Sequence, residues 1–403
     1  MAKQKNVLIA PGWYDYRLHK GIAAYAQEHG WHLSESLAHE RVLPWGWEGD
    51  GVLAWLGAGD DLVEFVQSLK KPTVDFSMRR PHLPFARVLQ DHAHASSLVA
   101  RHFLSLGFRN FIFYSENDNW SYEERGRGFA AALKKVGHSC QWIRWQDSKK
   151  PAQGRGEWSR RRLWLAGQLS ALPYPAAIFA ANDLMAVEVL EVCEQAGLLV
   201  PEQIAIVGAE NYLLAVDSMR TPISSVDTNL EEQGYQGAIL LARLMQGEPR
   251  PRTHVRIAAA RVIVRKSSDT LAVAHPNLAR ALRFISEHFH QPMGVGEVAN
   301  AAAMSRRALH QAFSENLGKT PGEQITFVRL EHAKRLLAES QEKMESIAEA
   351  SGYQSATSLF IAFKKSTGVS PTAFRKSVQH GKPQNEGHAG KCVPKLRANL
   401  TDS

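Results

Sequence analysis

Along the first 265 residues, short apolar runs alternate with stretches in which apolar residues return every three or four positions. Val7–Ala10, Gly51–Leu56, Phe111–Tyr114, Ala176–Ala180 and Ile204–Gly208 read as buried strands, each followed by helix-period sequence. This alternation predicts an α/β domain built on mainly parallel sheets. A segment of this length exceeds an ordinary single-sheet domain, so two lobes with strands crossing between them are expected. Beyond about residue 276 the strand-like runs stop and only the helical period remains.

Within that helical region a single unit occurs twice, fifty residues apart. Ser305, Leu309, Phe313, Gly318, Thr320 and Pro321 recur as Ser355, Leu359, Phe363, Gly368, Ser370 and Pro371. In each copy a hydroxyl residue caps a helix start, apolar residues four apart line one face, and a glycine stops the helix. A shorter helical piece precedes each copy, Glu297–Ala302 and Ser346–Ser351, joined by Ala303-Met304 and by Gly352-Tyr353-Gln354. Short helix, tight turn and capped second helix make a helix-turn-helix, whose second helix fits the DNA major groove. Thr320-Pro321-Gly322-Glu323 reads as a capping box, and it opens a run through Ile325, Val328, Leu330, Ala333, Leu336 and Leu337. One helix joining the units is predicted, spanning roughly 27 Å at about 1.5 Å per residue, near the roughly 34 Å between successive major-groove faces.

Composition sharpens the picture. The 403-residue chain carries a formal charge of +8, and residues 276–403 hold 17 Lys and Arg against 11 Asp and Glu. The excess therefore concentrates where the repeat lies and favours a polyanionic partner. On the first repeat helix, Arg306, Arg307, His310 and Gln311 sit at the start and on the face opposite Leu309 and Phe313, where base edges are reached. On the second, Gln354, Ser355, Thr357 and Ser358 are the candidates. Arg306, Arg307, Lys364, Lys365 and Arg375 are candidates for neutralising phosphates. The three cysteines, Cys140, Cys193 and Cys392, are too few and scattered for a disulfide framework or zinc site. No stretch approaches the roughly 20 apolar residues of a membrane span, and no cleavage signal follows Met1, so a cytoplasmic protein is expected. Gly12-Trp13-Tyr14 is not a dinucleotide fingerprint, no phosphate-binding loop motif occurs, and no cofactor or metal is expected.

In open α/β sheets ligands bind beyond the carboxyl ends of strands. The polar residues there are Asp15, Asp91, Glu116 to Arg125, Asn182-Asp183 and Glu210-Asn211, interleaved with Trp13, Tyr14, Trp120 and Tyr122. Carboxylates, amides and an arginine pair with adjacent hydroxyls while aromatic faces stack on C–H surfaces, which is the chemistry of a small sugar or polyol site. The residues alone leave other roles open. Asn182-Asp183 equally well caps the next helix, Asp15 and Glu210 read also as solvated loop charges, and Arg125 as a member of a surface charge cluster.

Residues 276–378 resemble an AraC/XylS-type DNA-binding domain. The resemblance rests on Ile347-Ala348, Gly352-Tyr353-x-Ser355 and the run from Phe363-Lys364-Lys365 to Phe374-Arg375. It departs from the family at Leu359-Phe360-Ile361, where an arginine commonly stands. Residues 4–265 resemble the effector domain of LacI-type repressors, through Arg125-x-x-Gly128-Phe129, Ala181-Asn182-Asp183-x-Met185-Ala186, Val200–Gly208 and Ile223-Ser224-Ser225-Val226. The combination is similar to the xylose operon regulator family. The resemblance implies an α/β two-lobed type I periplasmic-binding-protein-like domain followed by an all-α domain with two helix-turn-helix units. It further implies sugar contacts at Arg125, Asn182 and Glu210, where the family usually has aspartate in place of Glu210.

The expected boundaries are an effector domain over 1–265, a polar linker over 266–275, a reader over 276–378 and a disordered tail over 379–403. The expected function is a sugar-responsive regulator of transcription, an activator of pentose (xylose-like) catabolism genes. Its partners would be a double-stranded DNA operator, a small sugar effector, RNA polymerase and a second copy of the chain. A ligand-released repressor is the main alternative. A small-carbohydrate enzyme using Asp15, Asp91, Asp183 and Glu210 is the alternative from another class; a non-enzyme is expected. Arg125→Ala and Glu210→Ala are expected to abolish pentose binding with sugar-free folding nearly intact.

Overall fold

A computed structural model describes residues 4–35, 37, 42–57, 59–116, 119–145, 157–270 and 276–379. Of the expected disordered tail, Gln379 is the last residue of a helix, and the rest, with Cys392, lies outside the described residues. The chain divides into two compact units, with the division between residues 272 and 273.

The first unit holds twelve described strands: β1 Asn6–Pro11, β2 His32–Ser34, β3 Gly51–Trp55, β4 Thr73–Asp75, β5 Ala86–Gln90, β6 Asn110–Ser115, β7 Cys140–Arg144, β8 Ala176–Ala180, β9 Ile204–Ala209, β10 Ser224–Asp227, β11 Val255–Ile257 and β12 Arg261–Ile263. They form two six-stranded sheets, ordered β11-β5-β4-β3-β1-β2 and β12-β10-β9-β8-β6-β7. All pairings are parallel except β10 with β12. The expected two lobes are present, and the chain passes between them after β5, after β10 and between β11 and β12. The five apolar runs are β1, β3, β6, β8 and β9, and β8 and β9 are buried along their whole length, as sheets covered on both faces require. Phe113, Phe129 and Phe179 form the centre of the second lobe, with edge-to-face contacts at 5.5 and 5.3 Å. Each such ring contributes about 1.5–3 kcal/mol by leaving water.

After β10 the chain returns to the first lobe as the helix Leu230–Met245, which lies against the helix Tyr16–Glu28. The two backbones nearly touch. A Cβ on Gly21 would fall 1.9 Å from the Glu231 carbonyl oxygen, and one on Gly234 would fall 2.0 Å from that of Leu18. Cys140 and Cys193 are free, with burial pushing both thiols up to about 12, so they are unreactive packing groups.

The polar stretch expected as a linker begins inside the second lobe. Lys266–Ser268 is a short 3-10 turn in which Ser267 and Ser268 are fully buried. Ser267 Oγ donates to the Ile206 carbonyl at 2.6 Å, and Ser268 Oγ donates to Ser224 Oγ at 2.7 Å. Serine hydroxyls satisfying groups of the interior strands β9 and β10 look, in sequence, like linker polarity. Residues 271–275 of the expected linker lie outside the described residues.

The second unit is helical: Pro276–His288, Val295–Ala301, Arg306–Leu317, Pro321–Glu339, Met344–Ala350, Ala356–Thr367 and Pro371–Gln379. Ser305 and Ser355 cap Arg306–Leu317 and Ala356–Thr367, and Gly318 and Gly368 end them in the left-handed conformation. Thr320 and Glu323 form the expected capping box of the joining helix. Leu330, Ala333, Leu337, Ile347, Ala348, Leu359 and Phe363 make the core of the second half. Gly352, at φ 75°, turns the chain into the second repeat helix where a Cβ would stand 2.1 Å from the Phe289 carbonyl oxygen. The first turn uses Ala303 at φ 51°, so that half carries the left-handed strain which glycine avoids.

Candidate functional site

Between the lobes of the first unit lies a cavity of about 270 Å³ at the carboxyl ends of strands from both sheets. The first lobe supplies Trp13, Trp55, Phe76, Arg79, Gln90 and Gln233. The second supplies His92, Asn119, Trp120, Ser121, Tyr122, Arg125, Asn182 and Glu210.

Arg125 organises the floor. It is 1% exposed and extends its planar fork in four directions: Nε to His92 Nδ1 at 3.2 Å, Nη1 to the Ala181 carbonyl at 2.5 Å, and Nη2 to both Gln90 Oε1 and Glu210 Oε1 at 3.0 Å. His92 accepts at Nδ1 and therefore carries its proton on Nε2. Burial, reinforced by Arg125, holds its pKa well below the ordinary histidine value, so the ring is neutral. Glu210 and Asn211 have φ of 96° and 52°. That bend turns the Glu210 carboxylate back toward Arg125 while leaving its backbone carbonyl to Arg17.

The expected effector residues separate by geometry. Arg125, Asn182 and Glu210, three residues from distant segments, meet in the cavity. Asn182 caps the helix and lines the cavity: Oδ1 accepts from the Met185 amide at 2.9 Å, and Nδ2 donates to Tyr122 Oη at 2.9 Å in the cavity wall. The other four do not line it. Asp91 caps the helix His92–Ser105 through the His94 amide at 2.8 Å. Asp183 is buried, taking Ser225 Oγ and the Tyr212 amide at 2.6 Å each; burial pushes its carboxyl up to about 7 against those two bonds. Asn211 accepts from Arg265 Nη2 at 2.9 Å. Asp15 caps the helix Tyr16–Glu28 and holds Arg17 bidentately, at 3.0 and 2.7 Å. Arg17 then reaches from the first lobe to the Glu210 and Asn211 carbonyls of the second. Asp15 thus acts through Arg17.

Trp55, Phe76, Arg79, Gln90, His92 and Gln233 were not singled out by the sequence. Gln90 and His92 flank Asp91, so the strand-end rule points to the right triplet and the acid draws the eye from its neighbours.

On the reader, Arg307, His310, Gln354, Thr357, Lys364 and Lys365 are exposed. Other candidates are engaged in the fold. Arg306 folds back over Gly296, close enough that a Cβ there would meet Nη2 at 2.6 Å. Gln311 donates to Glu315 Oε1 at 2.8 Å. Ser355 Oγ accepts from the Ser358 amide at 3.2 Å, and Ser358 Oγ donates to the Ser355 carbonyl at 2.8 Å, so both serve the helix cap. Arg375 donates to the Glu342 carbonyl at 2.7 Å. Capping and ion-pair chemistry uses the same residue types as base recognition, which is why spacing alone does not separate them.

The reader should weaken in acid. Burial pushes His332 down to about 4, helped by Arg335 and His290, with its ring beside Phe289 at 4.9 Å. A histidine with a folded pKa below its unfolded 6.5 binds its proton preferentially when unfolded. Its contribution is complete above about 6.5 and lost as pH falls toward 4. Backbone bonds hold Glu297 and Glu323 below their ordinary range, so acid acts on them in the same direction at lower pH. The urea midpoint of the reader's transition in the full chain is expected to fall between pH 7 and pH 4; a constant or rising midpoint contradicts this.

Residues 100–268 match the family of periplasmic binding protein-like domains, and residues 298–377 match a helix-turn-helix domain family. The xylose operon regulatory protein of Escherichia coli is 26% identical over 376 residues, covering 90% of this chain and 94% of that protein. Its counterpart from Haemophilus influenzae is 28% identical over 299 residues, covering 73% and 75%. The solved structure of a xylose-binding transcription activator, XylR, shares the fold, with a TM-score of 0.69 at 24% identity over 93% of this chain and 98% of that one. A two-lobed binding domain joined to a double helix-turn-helix reader defines a ligand-responsive, DNA-binding transcription regulator. In sequence and architecture the chain is similar to the xylose operon regulatory proteins.

Proposed function

We propose that the protein is a pentose-responsive activator, xylose being the first candidate, which works as a homodimer on an operator in the cytoplasm and assists RNA polymerase there. The observation that carries this reading is the convergence of Arg125, Asn182 and Glu210 in one interlobe cavity walled by Trp13, Trp55 and Trp120. A charged pair and an amide serve vicinal hydroxyls, and flat rings cover the C–H faces of a pyranose. Arg125, Asn182 and Glu210 are the proposed effector contacts, and Arg307, His310, Thr357, Lys364 and Lys365 the proposed DNA contacts. Relatives named for the xylose operon support the choice of sugar. No described helix is long and apolar enough to cross a membrane.

Hydrolysis of a carbohydrate is disfavoured by the same geometry. It requires two carboxyl groups flanking the bond, whereas Asp15, Asp91 and Asp183 are committed elsewhere and Glu210 is the acidic residue among those lining the cavity. Thermal shift against xylose, arabinose, ribose and hexoses tests the assignment. At a hundred times Kd the bound sugar is expected to stabilise the effector unit by about 2.7 kcal/mol. Glu210→Gln, which keeps the side chain's size, should erase that shift. A xylose response that survives Glu210→Gln would falsify the pocket assignment; a response to a hexose alone would remove only the choice of sugar.

A further inference from the structure

The two repeat helices present opposite chemistries to the outside. Both run twelve residues between a serine cap and a left-handed glycine, and both bury leucine and phenylalanine at the same steps, so the fifty-residue offset makes their positions equivalent one by one. At about 100° per residue, the centre of the face opposite Leu309 and Phe313 is Gln311, with Arg307 one turn before it. In the second helix those places fall to Ile361 and Thr357. Ile361 is 61% exposed and Phe360, where the first helix has His310, is 42% exposed. Lys364 and Lys365 follow on the same outward side.

Ile361 and Phe360 are exposed apolar groups on a face that also carries hydroxyl and ammonium groups, and they serve neither the core nor solubility. Their neighbours indicate the occupant. The lysines complement an anionic surface, and the equivalent face of the first unit carries Arg307 and His310. Duplex DNA presents one apolar group among its major-groove edges, the C5-methyl of thymine. We propose that the second unit reads thymine methyl groups through Ile361, with Phe360 and Thr357 beside it, while the first unit reads polar base edges. This rests on the DNA-binding reading of the chain and adds to it a rule for half of the site: thymines should stand under the second helix.

The test begins with selection of binding duplexes from a random pool by the full-length protein. In the best duplex each thymine is then replaced singly by uracil, which removes only the methyl group. One or two replacements, confined to the half-site of the second unit, are expected to weaken binding about fourfold each, the value of one buried methyl-sized group. Ile361→Ala and Ile361→Gln, both at an exposed position, should bind thymine and uracil duplexes equally. A flat uracil scan on a tightly bound duplex overturns the proposal and leaves the regulator intact, as does a methyl response that persists in both variants. Ile361 variants that keep DNA affinity but lose transcription activation reassign this face to RNA polymerase and equally overturn it. If selection enriches no sequence, the DNA-binding reading falls and this inference with it.

Discussion

Arg125→Ala is expected to lose about 3–5 kcal/mol of folding stability in the effector unit, the usual effect of removing one partner from a buried ion pair, and to abolish the sugar response. The sequence alone suggests a nearly intact fold for this variant. The structure corrects that expectation, because the guanidinium is wholly buried and its loss strands Glu210, Gln90 Oε1, the Ala181 carbonyl and His92 Nδ1 together. Arg125→Lys should recover only a fraction of the loss, since an ammonium keeps the charge without the fork. Urea unfolding of the sugar-free protein is the measurement. A midpoint for Arg125→Ala within error of the wild type would show that the pair is structurally idle. Glu210→Gln, which retains an acceptor oxygen for Arg125, separates the sugar contact from the fold.

Binding to operator DNA should collapse with salt. Arg307, Lys364 and Lys365 are exposed on the repeat helices. If these three meet phosphates, the logarithm of affinity should fall against the logarithm of salt with a slope of about −2.7 per chain, or roughly fortyfold between about 50 and 200 mM. A dimer seated on two sites doubles the slope. Arg375 should add little, since the Glu342 carbonyl already holds it. Fluorescence anisotropy across a salt series reads the slope directly. A flat line is incompatible with a phosphate-bound reader, and Lys364→Ala should lower the slope by about one unit.

Much of the architecture could be read from periodicity. The long apolar runs announced the central strands, and the fifty-residue repeat announced the reader together with its caps and joining helix. β2, β4, β11 and β12 have three residues each, too short to establish a period of two. β10 is mostly serine and valine, with its serines buried against Ser267 and Asp183; it reads as polar because its hydrogen bonds are internal. The site was legible only where a residue stood out by type after a strand. Arg125, Asn182 and Glu210 did so, while Gln90 and Trp55, at strand ends of the first sheet, and Gln233, on the helix Leu230–Met245, acquire meaning only when the first lobe faces the second. The same limit explains Asp15, Asp91 and Asp183. A carboxylate after a strand reads identically whether it meets a ligand, a helix amide or an arginine.

The helix Pro321–Glu339 has a consequence for how the operator must be written. Its 19 residues form a rigid rod of about 28 Å, not a flexible tether. Once the first repeat helix is seated, the second meets its groove as an intramolecular event, at an effective concentration that is high where the spacing fits and near zero where it does not. Spacing between the two half-sites therefore behaves as a switch. About five extra base pairs, half a turn of the duplex, would carry the second groove to the far side and leave one unit bound alone, with no amino acid or contacted base altered.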